Sequence, residues 1–360
     1  MKRNCLFALA LAPLAFLAPF IGAREQTNEA KKASMDVKDL PRLFDPKKLD
    51  DPKAAAAAIE QLEAAFQGMR QPEAVRMLID ILRGSQMGGD SGWFGPADTR
   101  YTLKWLAARC GVDPAKGVTR DKFNGPDAWF TCLDRNKDGF ITSSDLDWSK
   151  PKTGGKVSGS PPGGGPSRSV LIKGLFEGEI GSMQEGPQLE HSAPDFTLKT
   201  VDGKDSVQFS KLIGPKPVVL VLGNYTCGPF RTFCSSIEGM HERYKKDATF
   251  LMVYVREAHP TDGWKMESNT RAGVAVKQPT TLAERTAVAS QFCEKLKPTM
   301  PVVVDEISDP VGHAYSGMPG RVYIIEAQGK VAYKSGRGPF GFRAGEMEQA
   351  LVMALLEQRK

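Results

Sequence analysis

Cys227 stands in the string Asn224-Tyr225-Thr226-Cys227-Gly228-Pro229-Phe230, between an apolar run at 218–222 and a helical stretch at 229–244. A thiol where a strand hands over to a helix meets unpaired N–H groups and the positive end of the helix dipole, and both favour the reactive thiolate. Pro229 suits a first helical turn, because it lacks the N–H that would be orphaned there. These residues predict a nucleophilic sulfur open to solvent. Two other thiols are candidates to resolve an oxidised Cys227. Cys234 lies two helical turns further on, about 10 Å along the axis, so direct bonding would need local unwinding. Cys293, near the end of another helix, is the second, and an external thiol reductant is the third route.

A different chemistry is written in residues 134–145. Asp134, Asn136, Asp138 and Thr142 fall at loop positions 1, 3, 5 and 9 of the EF-hand template, with Gly139 at the tight turn and Asp145 at the closing position. Phe140 offers a backbone carbonyl. The spacing predicts an all-oxygen site for Ca²⁺, weakened or shifted toward Mg²⁺ by the short arm of Asp145 where glutamate is usual. Ile141 is the apolar residue expected to face a partner loop. Residues 111–123 fit a decayed partner, with Val118 in the place of Ile141 and Lys122 where a carboxylate is needed. The expectation is a structural pair with one working site.

These groups are carried by two unlike halves. Residues 52–69, 72–83 and 98–110 have apolar side chains at helical spacing, so residues 36–150 read as an all-α, EF-hand-type domain. Residues 151–168 are mostly glycine, proline and serine with almost nothing to bury, and read as a linker. Beyond it, in a domain spanning 169–360, apolar runs at 218–222, 250–255, 301–304, 322–325 and 331–333 alternate with helical patterns at 229–244, 281–296 and 345–358. That order predicts a mixed α/β sheet covered by helices.

Charged residues make up 25% of the 360 and the net charge is +6, with no dense basic run interleaved with aromatics, so nucleic-acid binding is not expected. Lys2 and Arg3 precede an apolar run ending in small residues before Arg24, the order of a secretory leader over residues 1–23. This predicts export to a periplasmic or extracellular space, or membrane association if the run is retained. Without Cys5, an odd number of cysteines remains: Cys110, Cys132, Cys227, Cys234 and Cys293. Their pairing is open, and so is homodimerisation.

Several segments together resemble known families. Met318-Pro319-Gly320 before an apolar run, and Ala193-Pro194-Asp195-Phe196 with Asp202-Gly203, resemble thioredoxin-like proteins, which implies a cis Met318–Pro319 bond facing Cys227. The dithiol motif of thioredoxins is absent, with Phe230 where its second cysteine would stand. Peroxiredoxins would need threonine at Asn224. The segment Glu257-Ala258-His259-Pro260-Thr261-Asp262-Gly263-Trp264 resembles the hallmark of iodothyronine deiodinases, with Cys227 in their selenocysteine slot. Val303-Val304-Asp305, Arg321-Val322-Tyr323 and Tyr333-Lys334-Ser335-Gly336-Arg337-Gly338-Pro339 continue the likeness over residues 190–360.

The resemblance implies roles residue by residue. Cys227 is the nucleophile, His259 serves phenol binding and proton transfer, and Glu257 orients or charges His259. Arg337, Pro319 and Thr226 border the substrate, Arg337 being suited to a carboxylate. Gly320 departs from the family's acidic residue, and Tyr225 from an auxiliary cysteine. The implied activity is thiol-dependent: reductive dehalogenation of an iodinated or otherwise halogenated aromatic, or peroxide reduction. The substrate is a small molecule, and the reductant an external thiol or a thioredoxin-like partner. The competing reading is a calcium-dependent binding or structural protein with an idle redox domain.

Overall fold

Apolar runs alternating with amphipathic helices bury themselves best in a sheet covered on its faces, and residues 168–359 fold this way. The computed structural model describes residues 35–85, 94, 97–148 and 166–359. The expected leader and all but the end of the expected linker lie outside them. The strands are β1 (Asp98–Thr99), β2 (Val118–Thr119), β3 (Phe140–Ile141), β4 (Thr197–Thr200), β5 (Ser206–Gln208), β6 (Val218–Gly223), β7 (Thr249–Tyr254), β8 (Val302–Val304), β9 (Arg321–Ile325) and β10 (Val331–Lys334). The α-helices are α1 (Leu40–Leu43), α2 (Pro52–Ala65), α3 (Glu73–Leu82), α4 (Leu103–Cys110), α5 (Asp127–Leu133), α6 (Ser143–Leu146), α7 (Arg168–Phe176), α8 (Gly228–Tyr244), α9 (Glu267–Arg271), α10 (Leu282–Leu296), α11 (Pro310–Ala314) and α12 (Ala344–Gln358).

Eight strands form one sheet in the order β1-β10-β9-β6-β7-β8-β4-β5. β6 and β7 are parallel and joined through α8, whereas β9 runs antiparallel to β6 and β10 antiparallel to β9. The order β10-β9-β6-β7 with α8 as the crossover is the thioredoxin-like arrangement. All six residues of β6 are buried, as a central strand covered on both faces must be. At its end Gly223 is required by packing, because a Cβ there would lie 2.1 Å from the Phe230 ring. That close approach lets α8 start directly over the strand's tip.

The first half is not all-α, and this corrects the sequence reading. Residues 98–99, expected to open a helix, pair with Lys334 and Tyr333 as the edge strand of the main sheet. β2 and β3 form a separate ladder in which Val118 faces Ile141, the pairing that loop spacing predicts. Nor do residues 36–150 pack as a domain apart: Met35–Lys360 is one compact unit. Helices α2 and α3 share a core with Leu171, Ile172 and Leu175 of α7. On α12, buried Gln349 accepts from Trp148 Nε1 at 2.8 Å and donates to the carbonyls of Cys132, Leu133 and Asp145 at 3.2–3.3 Å. Both ends of the 134–145 loop are thereby fixed to the last helix of the redox fold.

One buried carboxylate ties α3 to the sheet. Glu73 lies 2.7 Å from Arg321, 3.1 Å from Lys334 and 3.1 Å from Arg337, all five per cent exposed or less. The surrounding cations hold its carboxyl far below the usual range despite the opposing cost of burial. Burial, with Arg321 beside it, pulls the Lys334 ammonium down to about 8 even though it touches Glu73. The carboxylate is therefore shared unequally, and the two guanidiniums are its main partners. Removing Glu73 would strand three buried cations.

Glu73→Gln is expected to lower unfolding free energy by about 3–5 kcal/mol, the usual cost of breaking a buried ion pair, read by urea denaturation. Glu63→Gln, which breaks the half-exposed pair with Arg83, should cost about 1 kcal/mol or less.

Candidate active site

The turn from β6 into α8 is organised by Asn224, a fully buried side chain. Its Oδ1 accepts from the backbone N–H of Cys227 at 3.0 Å, from Thr226 Oγ1 at 3.2 Å and from the N–H of Ala258 at 3.3 Å. Its Nδ2 donates to the carbonyl of Pro319 at 3.0 Å. One amide thus joins the cysteine turn, the loop after β7 and the turn before β9. The Met318–Pro319 bond is cis, as the thioredoxin-like resemblance implies, and Gly338–Pro339 is a second cis bond.

Cys227 occupies the N-cap of α8 with Pro229 in the first turn. Its sulfur has no solvent exposure, which corrects the expectation of an open thiolate. Burial pushes the thiol up to about 12, opposed by the Phe230 N–H and Arg231 and reinforced by Glu257. The helix terminus does present an amide to the sulfur, as its position predicts, but desolvation outweighs it. In this closed state the site holds a neutral thiol.

The backbone N–H of His259 donates to Thr226 Oγ1 at 3.0 Å, so the two motifs named from sequence meet. The imidazole is largely buried, and its Nδ1 lies 3.1 Å from the carbonyl of Trp264. A carbonyl only accepts, so Nδ1 carries the hydrogen and Nε2 keeps its lone pair. Burial lowers the pKa of His259, against the pull of the Trp264 carbonyl, and the ring is neutral at pH 7 with Nε2 as a proton acceptor.

Glu257 does not orient that imidazole, a second correction. Its carboxyl accepts from the Thr226 N–H at 3.0 Å and from the Tyr254 hydroxyl, which in turn accepts from the Tyr225 N–H at 3.0 Å. Burial raises its pKa, with the Tyr254 and Thr226 hydrogen bonds pulling the other way. The backbone of Glu257 is clasped by Gln278, which accepts its N–H at 3.1 Å and donates to its carbonyl at 3.3 Å. Glu257 is a support of the cysteine turn.

Of the residues expected around the substrate, Thr226 is fully buried and serves as a scaffold, with its carbonyl held by Asn269 at 2.7 Å. Pro319 lies at the turn tied to Asn224. Arg337 is one per cent exposed and already meets a carboxylate, that of Glu73, together with the carbonyls of Ser182 and Gln184. It is closed to an outside ligand here. Cys234 and Cys293 are free and partly buried, as are Cys110 and Cys132. Sequence reasoning did not single out Asn224, Tyr254, Asn269 or Gln278 as site residues; a polar residue at the end of an all-apolar strand was the available signal for Asn224.

A cleft of about 300 Å³ opens beside this network, lined by Arg256, Glu257, Pro260, Trp264 and Gln278 on one side and Glu177 to Glu179 on the other. A larger cleft of about 530 Å³, with Val276, Ala287 and Val288 in its wall, shares Asp262 and Gln278 with it. Cys227 lines neither cleft. The smaller cleft borders the loop that carries His259, through Ala258 and Pro260.

In the 134–145 loop, the Asp134 carboxylate accepts from the N–H groups of Asp138 and Gly139 at 3.2 and 3.0 Å. Asp138 accepts from the N–H of Phe140 at 2.9 Å and from Asn136 Nδ2 at 2.8 Å. Asp145, fully buried, accepts from the N–H of Asn136 at 3.1 Å and from both the N–H and hydroxyl of Thr142. Among the described residues no three His, Cys, Asp or Glu side chains converge as a metal-binding group.

The family model described as "Iodothyronine deiodinase" matches residues 171–355, just over half of the chain. Type I iodothyronine deiodinase of Xenopus laevis is 31% identical over 170 residues, covering 47% of this chain and 63% of that protein. Type II iodothyronine deiodinase of Sus scrofa is 33% identical over 155 residues, covering 42% and 57%. The chain thus spans less than two thirds of the length of these relatives. Among solved structures, a putative thiol:disulfide interchange protein DsbE from Chlorobium tepidum superposes with a TM-score of 0.34 at 22% identity, over 47% of this chain and 99% of that one.

Asn224→Leu is expected to release the cysteine turn. Alkylation of Cys227 by iodoacetamide at pH 8, followed by peptide mass spectrometry, should run at least tenfold faster than in the native protein. In the unaltered protein Cys227 should label far more slowly than after unfolding in urea.

Proposed function

Because the chain belongs to the iodothyronine deiodinase family, a family of thioredoxin-fold oxidoreductases, we propose that it is an exported thiol-dependent reductase of a halogenated, above all iodinated, aromatic. The observation that carries this reading is the hydrogen bond between the residue before Cys227 and the backbone of His259, which puts a thiol and a neutral imidazole on one frame. His259 Nε2 takes the thiol proton as the site opens. The thiolate attacks iodine, the carbon–iodine bond breaks toward carbon, and the imidazolium returns the proton to that carbon. The products are the reduced aromatic and a Cys227 sulfenyl iodide. One external thiol displaces iodide to give a mixed disulfide, and a second thiol releases Cys227. With a peroxide in place of the aromatic, the same sulfur becomes a sulfenic acid and the peroxide an alcohol or water, and thiols restore it in the same way.

The 134–145 loop is proposed to bind one Ca²⁺ through Asp134, Asn136, Asp138, Thr142, Asp145 and the Phe140 carbonyl. The donors are all oxygen, which suits a hard cation. An ionised carboxylate has about four lone-pair sites, so Asp134 and Asp138 can ligate an ion while still accepting the backbone N–H groups of the loop. A calcium-dependent binding protein with an idle redox fold is the second reading, and the buried, neutral sulfur of Cys227 favours it.

Turnover separates the two. Purified protein with an iodinated phenol and dithiothreitol should release iodide, Cys227→Ser should abolish release, and His259→Gln should lower kcat by roughly 10²-fold or more. No release from any of the three, with peroxide also left intact, would favour the binding reading. For the metal, titration calorimetry on the whole chain should count one Ca²⁺. Saturating Ca²⁺ should raise Tm in the native protein and leave Tm unchanged in Asp134→Ala. The whole chain is needed because residues 36–150 share their cores with the rest.

A further inference from the structure

Arg231 lies one helical turn beyond Cys227 on α8. Its guanidinium spans two elements. One nitrogen donates to the carbonyl of Tyr225 at 2.5 Å, and another donates to Asn269 Oδ1 of α9 at 2.9 Å. Asn269, four per cent exposed, passes the contact on through Nδ2 to the carbonyl of Thr226 at 2.7 Å. The two peptide carbonyls immediately before Cys227 are therefore both held by the Arg231–Asn269 pair, and the guanidinium also lies 5.8 Å from the centre of the Tyr225 ring. A planar fork donates in two fixed, divergent directions, whereas an ammonium presents its three rotatable donors from a single point.

We propose that the Arg231 guanidinium, held one helical turn from Cys227 by these bonds, supplies the positive charge that favours the Cys227 thiolate when the site opens. This deepens the reading of Cys227 as a nucleophile. The groups that act on the sulfur are few. Arg231 on its own helix favours the thiolate together with the Phe230 N–H, and Glu257, from the loop after β7, opposes it. Tyr254 and Arg285 act on Glu257. Cys234, further along α8, is close enough to interact with Cys227. At His259 burial is the larger influence, and Arg231 adds to it by disfavouring the imidazolium. The same charge thus favours the pair of protonation states that the reaction requires, an ionised sulfur beside a ring that can accept a proton.

The test is the rate of Cys227 alkylation by iodoacetamide between pH 7 and 10, read by peptide mass spectrometry on the whole chain. The unaltered protein is compared with Arg231→Met and Arg231→Lys, each checked by a cooperative thermal melt. Loss of the charge should slow alkylation roughly tenfold at every pH below the thiol's midpoint, equivalent to an upward shift of about one pKa unit. Arg231→Lys should recover at least half of that loss on a logarithmic scale. A merely structural role predicts the opposite sign, because a loosened turn exposes the sulfur and speeds the reaction. Equal or faster alkylation in Arg231→Met, or Arg231→Lys as slow as Arg231→Met, would overturn the proposal. If Arg231→Met does not melt cooperatively, Arg231→Gln takes its place with the same criteria. The readout needs no turnover, so a protein inactive on iodinated phenols would leave this result standing.

Discussion

Everything in the candidate site depends on one side-chain amide. A strand that ends in the protein interior leaves backbone groups which must find partners without water, and Asn224 answers for three segments at once. Its oxygen serves the cysteine turn and the loop after β7, and its nitrogen serves the carbonyl of Pro319. An amide is suited to this because it donates and accepts in the same plane. An aspartate there could not donate to Pro319, and a threonine has too short a reach to serve all of these groups. The thiol, the imidazole loop and the cis-proline turn are consequently one rigid object.

Rigidity has a consequence for chemistry. The frame that gathers the groups also seals the sulfur, and desolvation raises its pKa more than the helix terminus lowers it. The proposed reaction would therefore begin with an opening that admits the substrate and lets the thiol ionise. The helical first half is bonded to the same fold through Glu73 and Asp145. Glu73 of α3 reaches Arg321, which directly follows the Met318-Pro319-Gly320 turn, and it also closes Arg337 to outside anions. Gln349 of α12 holds both ends of the 134–145 loop. The two halves share a packed core within one compact unit, Met35–Lys360.

The central strand and its helix were legible in the sequence to within a residue: an apolar run at 218–222 became Val218–Gly223, and a helix at 229–244 became Gly228–Tyr244. Fully buried strands and long amphipathic helices carry their pattern in every residue, so local reading suffices. Val118 opposite Ile141 was legible through loop spacing, whereas the family's motifs named Thr226 and His259 without their hydrogen bond. Long-range polar contacts were not. Glu73 reads as an ordinary acid in the first turn of a helix, and nothing nearby announces three cations from β9, β10 and the loop after them. Asp98–Thr99 read as the start of a helix because a two-residue edge strand is specified by its partner, β10, and not by its own periodicity. The burial of Cys227 was likewise missed, since helix-terminus reasoning gives the direction of one influence and says nothing about desolvation.

The account stands on Cys227 being the atom that takes iodine from the substrate. The direct measurement is a single turnover without reductant: excess iodinated phenol is added to the purified chain, the reduced aromatic is quantified, and each cysteine is mapped by mass spectrometry after trapping. The account predicts about one equivalent of reduced aromatic per chain, with Cys227 converted from a free thiol to a trappable sulfenyl species. Reduced aromatic formed while Cys227 remains a free thiol would contradict it.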